Sequence, residues 1–316
     1  MNYSTYLNIT LDYDVCESYT VLDLFAGCGG LSLGFESVGF STLGFERDTF
    51  CCDTYNRNLS GKCAEAVLTP QTELPSADVV IGGPPCQPFS EAGNSRGLED
   101  SRDGFPTFIS AVERIRPSLW LFENVKGMQH RHSHYFNKIL ESLSSLGYTI
   151  DYRVMNAADF RVPQNRERLI VVGHRGGFLF PTPNGNKVTS GEALQDILYK
   201  DDPSSKFLTA SMDSYIAKYE KACGMVNPRD LHLDKPARTL TCRNLAGATS
   251  DMQRIKFKDG RRRRLLVREA ARLQSFPDWF EFYGSESSQY YQIGNAVPPV
   301  FARYLAQSVK SYLKLV

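Results

Sequence analysis

Short apolar runs alternate with amphipathic stretches through the first half of the chain. The runs predict strands at Thr20–Phe25, Ser41–Glu46, Asp78–Gly82, Ser118–Phe122, Thr149–Met155 and Arg168–Gly173. Continuous segments such as Val79-Val80-Ile81 and Leu169-Ile170-Val171-Val172 suit strands covered on both faces. Between them lie helical patterns; in one, Phe136, Ile139, Leu140, Leu143 and Leu146 share a face and Gly147 supplies the stop. This alternation predicts a mostly parallel α/β sheet. The pattern degrades after Arg175, where Gly176-Gly177, Pro181, Pro183, Asn184 and Gly185 mark a boundary. From there to about Tyr283 only one helix, near Met212–Cys223, stands out among turns. Order returns at Val300–Leu315, where Phe301, Leu305, Val309 and Leu313 predict a terminal helix.

Composition narrows the class. The 316 residues are 42% hydrophobic and 22% charged, which fits a globular protein and excludes wholesale disorder. No run reaches the ~18 to 20 apolar residues of a membrane span. The first residues carry Asp12, Asp14 and Glu17 without a basic region, so no signal peptide is expected and a cytoplasmic enzyme is. Eight cysteines include no CxxC pair, and most are expected to be small core fillers. The net charge of +1 says little, but its distribution is uneven. Residues 252–272 hold nine basic side chains against Asp259 and Glu269, a local +7 that leaves −6 elsewhere. Such a stretch reads either as a phosphate-facing surface or as a solvated hairpin tip.

Four segments carry candidate chemistry. Asp23-Leu24-Phe25-Ala26-Gly27-Cys28-Gly29-Gly30 follows a strand and opens a helix, a turn that lets backbone approach a ligand. Glu46 ends the second strand, where an acid can accept both hydroxyls of a ribose. The GxGxxG fingerprint fails because position 32 is serine, and no GxxxxGK[ST] occurs, so a nucleoside without a buried pyrophosphate fits better. Gly82-Gly83-Pro84-Pro85-Cys86-Gln87-Pro88-Phe89-Ser90 follows the third predicted strand; paired prolines deny Cys86 a helix and place its thiol at the carboxyl edge of the sheet. In Phe122-Glu123-Asn124-Val125, a carboxyl group leaving an apolar strand is poorly solvated and suited to hold a proton. In Gln164-Asn165-Arg166-Glu167-Arg168, one arginine is expected to point into the site, though alternating charges also form inconsequential surface pairs. His130-Arg131-His132-Ser133-His134 resembles a metal site, but alternate residues of a short loop without an acid or cysteine are usually solvated, and no metal is expected.

The ordered set FAGCGGLSLGFE, the ERD step, GGPPCQPFS, FENV, QNRERLIVVG, ARTLTCR and QIGNAVPP resembles the DNA cytosine-C5 methyltransferase family, from about Val21 to the C-terminus. The resemblance implies a class I S-adenosylmethionine-dependent fold, Rossmann-like and doubly wound, with a smaller inserted target recognition domain. It implies Cys86 as the nucleophile, Glu123 at N3 and the amine of the cytosine, and Arg168 beside O2. Phe25, Gly27, Gly29, Leu31, Glu46 and Pro85 would line the S-adenosylmethionine pocket, and Asn295 and Val297 would close it. Glu65 stands where the family often reads the adenine amine with an aspartate, and Arg47 replaces an apolar side chain that often stacks on adenine. Gln87, Ser90, Arg96, Arg166, Arg238 and Arg261, Arg262, Arg263 and Arg264 are the expected DNA contacts. Gly93 to Gly97 would belong to a loop closing over DNA.

The same resemblance sets the expected boundaries. Residues 1–177, completed by 288–316, form the catalytic region, and 178–287 the recognition region. Duplex DNA is the expected partner of a monomer, with a restriction endonuclease acting independently. Three rivals stay open: the tRNA-methylating branch, a silent DNA-binding relative and a nicotinamide oxidoreductase. The first usually carries Cys-Phe-Thr where this chain reads Cys223-Gly224-Met225.

Overall fold

The computed structural model describes residues 1–12, 19–85, 103–130, 132–185, 187–200, 202–222, 224, 229–246 and 251–316. Its strands are β1 (Thr20–Leu24), β2 (Ser41–Glu46), β3 (Lys62–Glu65), β4 (Val79–Gly82), β5 (Leu119–Val125), β6 (Thr149–Asn156), β7 (Glu167–His174), β8 (Arg254–Lys256) and β9 (Arg262–Arg264). Helices in the first half are α1 (Tyr3–Thr10), α2 (Gly30–Glu36), α3 (Thr49–Asn58), α4 (Phe105–Ile115) and α5 (Ser133–Ser145). The second half adds α6 (Ser190–Leu194), α7 (Ala210–Ala222), α8 (Cys242–Ala246), α9 (Val267–Leu273), α10 (Glu286–Asn295) and α11 (Pro299–Leu313).

Seven strands form one sheet in the order β3-β2-β1-β4-β5-β7-β6. The first five run parallel, whereas β7 is antiparallel to both β5 and β6. This is the doubly wound, mostly parallel sheet that the alternation predicts. The order reverses between β1 and β4, and in open α/β sheets ligands settle outside the carboxyl ends of the strands at that point. β4 and most of β1 are buried on both faces, as their unbroken apolar runs require.

Each sheet face carries its own core. On one, Trp120 and Phe122 stack and meet Phe105, Phe108 and α5. Gly173 of β7 is obligatory there, since a Cβ would lie 1.9 Å from Trp120 Cε2. On the other face, α2 lies against α11, and Gly34 permits it: a Cβ would meet Ala302 Cβ at 2.4 Å. That second core continues through Leu194, Leu198, Leu231, Leu240, Leu245 and Ile255 without a break. The terminal helix thus lies on the helix that follows β1.

Candidate active site

The turn after β1 is built from left-handed residues. Phe25 has φ +62°, Gly27 +53° and Gly29 +87°. Gly29 is also held to glycine sterically, because a Cβ would approach Tyr55 Cδ2 to 2.7 Å. Gly27 donates its N–H to Glu46 Oε2 at 3.0 Å, while Glu46 Oε1 accepts from the amides of Arg47 and Asp48 at 2.8 and 3.0 Å. The acid at the end of β2 is therefore fixed by three backbone donors and remains partly exposed, with lone pairs left for hydroxyls. Glu65 sits opposite Glu46 in the β2–β3 register, exposed at the next strand end. Beneath the turn, Asp23 is 1% exposed and accepts from Ser32 Oγ at 2.7 Å. Burial pushes its carboxyl up to about 7.

Two further segments complete this corner. A Cβ on Gly30 would lie 2.4 Å from the Val297 carbonyl, so the turn Asn295–Val297 seats directly on the glycine loop. Val297 is buried and Asn295 exposed. On the β4 side, Gly104 donates to the Pro85 carbonyl at 3.0 Å. A Cβ on Gly104 would approach Phe25 Cζ to 2.9 Å, so Phe25, Pro85 and Gly104 are in close contact. Leu31, in the first turn of α2, is buried at 4% exposure and packs in the core beneath the turn. The donors and acceptors at four successive strand ends suit an adenosine: a carboxylate for hydroxyls, backbone amides and a partly exposed aromatic ring. They suit S-adenosylmethionine without any phosphate-binding group.

The second corner lies at the ends of β4, β5 and β7. Glu123 and Arg168 are diagonal neighbours across the antiparallel β5–β7 pair and form an ion pair, Nε to Oε1 at 2.7 Å. Both are largely buried, with side-chain exposures of 12% and 14%. Glu123 thus meets a guanidinium as well as the apolar strand. Asn124 turns the other way and donates Nδ2–H to the Pro84 carbonyl at 3.0 Å. The two prolines are consequently pinned by separate elements, Pro84 from β5 and Pro85 from the start of α4. Cys86, Gln87, Ser90 and Arg96 lie outside the described residues, as does the Gly93–Gly97 loop.

Several expected DNA contacts have other employment. Arg166 is 2% exposed and donates Nη1–H to the Leu240 carbonyl at 2.8 Å and Nη2–H to the Gly294 carbonyl at 3.3 Å. It faces the interior, which corrects its reading as a surface contact. Residues 254–264 are a hairpin, β8 paired with β9, and strand alternation divides the arginines between its faces. Arg263 is buried in a two-pronged pair with Glu269, both bonds 2.7 Å. Arg262 is paired with Asp230 and Asp213, and Arg254 with Asp230 and Glu220. Arg264 donates to the Leu245 carbonyl, and Arg238 binds Asp251 and Gln253. Arg261 alone of the four is exposed, over the Phe207 ring and beside Asp259. Arg254, Arg262 and Arg263 are thus held by acids of other elements, so the stretch does not present all of its cations on one face.

A cleft of about 630 Å³ opens where the start of β7 faces the segment 229–239. Its walls include Asn156, Asn165, Glu167, Arg229, His232 and Lys235. No motif marks His232 or Lys235, polar residues in an irregular stretch. Nor did it assign roles to Asp23 or Asn124, although both sit inside quoted motifs. Among the described residues no cluster of His, Cys, Asp or Glu could hold a metal ion, and no helix is long and apolar enough to cross a membrane.

The glycine turn at the switch point, the paired Glu123 and Arg168 and the anchored Pro84-Pro85 segment stand together at the carboxyl edge of the sheet, an arrangement suited to a group-transfer enzyme. The family model for C-5 cytosine-specific DNA methylases matches residues 19–311, and the chain belongs to that family of DNA cytosine-C5 methyltransferases. It is 50% identical to the Type II methyltransferase M.AplI of Arthrospira platensis, over 99% of this chain and 92% of the relative. It is 35% identical to the Type II methyltransferase M.FnuDI of Fusobacterium nucleatum, over 93% and 94%. Among solved structures, the Entamoeba histolytica methyltransferase EhMeth superposes with a TM-score of 0.73 at 18% identity, covering 94% of this chain and 99% of its own. The S. pombe Dnmt2 methyltransferase gives 0.70 at 17%, covering 93% and 99%. These two likenesses establish the fold. Family membership implies S-adenosylmethionine as the methyl donor and DNA as the substrate.

Proposed function

We propose that this enzyme methylates C5 of a cytosine flipped out of a short duplex sequence, through a covalent bond between Cys86 and C6 of the base. The carrying observation is the Glu123–Arg168 ion pair beside the doubly anchored Pro84-Pro85 segment, to which Cys86 is the next residue. Cytosine C5 is a weak nucleophile. Addition of the Cys86 thiolate at C6 makes the C5–C6 unit an enamine, so one hard step becomes two easier ones. As negative charge builds on the ring, Glu123 passes a proton to N3 and holds the exocyclic amine, and Arg168 donates to O2. Loss of the C5 proton then expels the thiolate and restores the aromatic base. The bound S-adenosylmethionine supplies the electrophilic methyl group, held by the Phe25–Gly29 turn, Glu46, Glu65, Pro85 and the Asn295–Val297 turn. A duplex hides C6, hence the need for flipping.

Residues 178–287 serve in this reading as the target recognition region, and 1–177 with 288–316 as the catalytic region. The Type II names of the relatives support a place in a restriction–modification system; in this reading the endonuclease acts separately and the methyltransferase is a cytoplasmic monomer. The test is methyl transfer from labelled donor to duplex DNA and to tRNA, by the wild type and Cys86→Ser. DNA is expected to be labelled and tRNA not, with Cys86→Ser inactive while still binding donor and DNA. Turnover by Cys86→Ser above a few per cent of wild type, by the ~10²-fold or larger losses typical of removed nucleophiles, would sink the covalent route.

A further inference from the structure

Arg166 presents an unusual arrangement. Its guanidinium is buried, no carboxylate among the described residues is hydrogen-bonded to it, and its charged neighbours are Arg168 and, opposing it, Glu123. Burial, reinforced by Arg168, pushes its pKa down to about 9. Keeping a buried cation on carbonyls alone is costly, and a chain that only needed to fill this space could use an apolar side chain.

The partners explain what the cation does. Leu240 belongs to the segment 237–240, which docks on residues 164–166 through several bonds. Asn165 N–H donates to the Ala237 carbonyl at 2.8 Å, Thr239 Oγ1 to the Asn165 carbonyl at 2.7 Å, and Leu240 N–H to Gln164 Oε1 at 2.8 Å. Gly294 lies in the last turn of α10, just before the turn whose Val297 carbonyl rests on Gly30 of the glycine loop. Gln164 reaches the same turn by a second route: its amide donates to Gln274 Oε1, and Gln274 donates to the Ala296 carbonyl at 2.6 Å. Two residues beyond Arg166, at the start of β7, stands Arg168 with Glu123.

We propose that Arg166 is a positioning residue that, by holding the Leu240 and Gly294 carbonyls at once, keeps the Glu123–Arg168 pair in register with the turn closing on the cofactor loop. Arg166 touches neither substrate nor donor. It transmits the placement of one site to the other, so both should loosen when it is lost. The inference rests on the proposed reading of Glu123–Arg168 as the base site, but its effect on donor affinity does not pass through that reading.

The experiment compares Arg166→Met, Arg166→Lys and Arg168→Met by calorimetric titration with S-adenosylmethionine, by turnover, and by salt-titrated DNA binding. Arg166→Met is expected to weaken donor binding and to lower turnover per binding-competent chain by about tenfold or more each, the scale of one hydrogen bond from a charged group. Its salt slope on DNA should stay at the wild-type value. Arg166→Lys keeps the charge without the fork and should recover part of both losses. Arg168→Met should lose turnover with donor affinity intact; unchanged turnover there would defeat the base-site reading itself. Reduced binding stoichiometry with wild-type affinity and turnover per competent chain would reduce Arg166 to a folding role and overturn the proposal. A flattened salt slope would return it to the DNA surface and equally overturn it. Should Arg166→Met fail to fold, Arg166→Lys decides, and wild-type affinity and turnover in that variant would show that the fork holds nothing.

Discussion

Two carboxylates at the glycine turn differ only in surroundings, and their predicted behaviour diverges accordingly. Asp23 lies under the turn with a raised pKa near 7, against 3.8 for the ordinary group. The folded state therefore holds this proton more tightly than the unfolded chain does. Its contribution to stability is fully present below about pH 4, declines as pH rises toward 7, and is flat beyond. Asp23→Asn imitates the protonated form and can still accept from Ser32. Between pH 5 and 8 it should lose less stability than wild type by roughly 2 to 3 kcal/mol, at 1.36 kcal/mol per pKa unit. Urea midpoints at the two pH values check this; parallel losses would mean that Asp23 is charged throughout. Glu46, by contrast, is partly exposed and bonded to three amides. Glu46→Ala should weaken S-adenosylmethionine binding by roughly 1.5 to 3 kcal/mol, the range for a hydrogen bond to a charged group. An unchanged calorimetric dissociation constant would place the ribose contact elsewhere.

At the scale of elements, much of the sheet was legible because parallel strands buried on both faces leave unbroken apolar runs. Five of its seven strands match their predicted spans to within two residues at each end, and β5 runs three residues further. β3 was missed for a physical reason: Lys62-Cys63-Ala64-Glu65 is a short edge strand with only Cys63 buried. The Glu123–Arg168 pair was legible as two separate motifs, but their contact depends on β7 running antiparallel beside β5, which no local pattern encodes. The basic hairpin was the least legible. Charge counting saw nine cations, yet their counterions Asp213, Glu220, Asp230 and Glu269 come mostly from other elements. The structure therefore separates Arg263 from Arg261. Arg263→Ala strands Glu269 in the core and should cost about 3 to 5 kcal/mol of stability. Arg261→Gln should leave stability within about 0.5 kcal/mol, and lower the DNA salt slope by about one unit if Arg261 meets a phosphate. Chemical denaturation and salt-titrated binding of both variants test the contrast, and equal destabilisation would refute it.

The whole molecule is tied together by its later segments. α11 lies on α2 at Gly34, the Asn295–Val297 turn on Gly30, and segment 237–240 on residues 164–166, just ahead of the strand that carries Arg168. The N-terminal helix joins in: Ser4 and Asn8 bond Asp278, which with Asp196 grips Arg272 of α9. One apolar core runs from α2 and α11 through Leu198, Leu231, Leu245 and Ile255, so the proposed recognition region buries its apolar side chains on the catalytic region itself. Regions that share a core lose it together, and a single cooperative transition is expected although the chain is longer than most one-step folders. The two tryptophans make this measurable, since Trp120 lies in the central sheet and Trp279 between α9 and α10. Trp120 fills the core over Gly173 and cannot be exchanged without cost, so the probe is Trp279. In wild type, circular dichroism follows the helices of the whole chain, and the fluorescence change removed by Trp279→Phe isolates the region around Trp279. Coincident urea midpoints for the two signals are expected, with S-adenosylmethionine shifting both equally. An earlier transition at Trp279, unmoved by the donor, would mean that residues 178–287 unfold by themselves and that the shared core does not couple them to the cofactor corner.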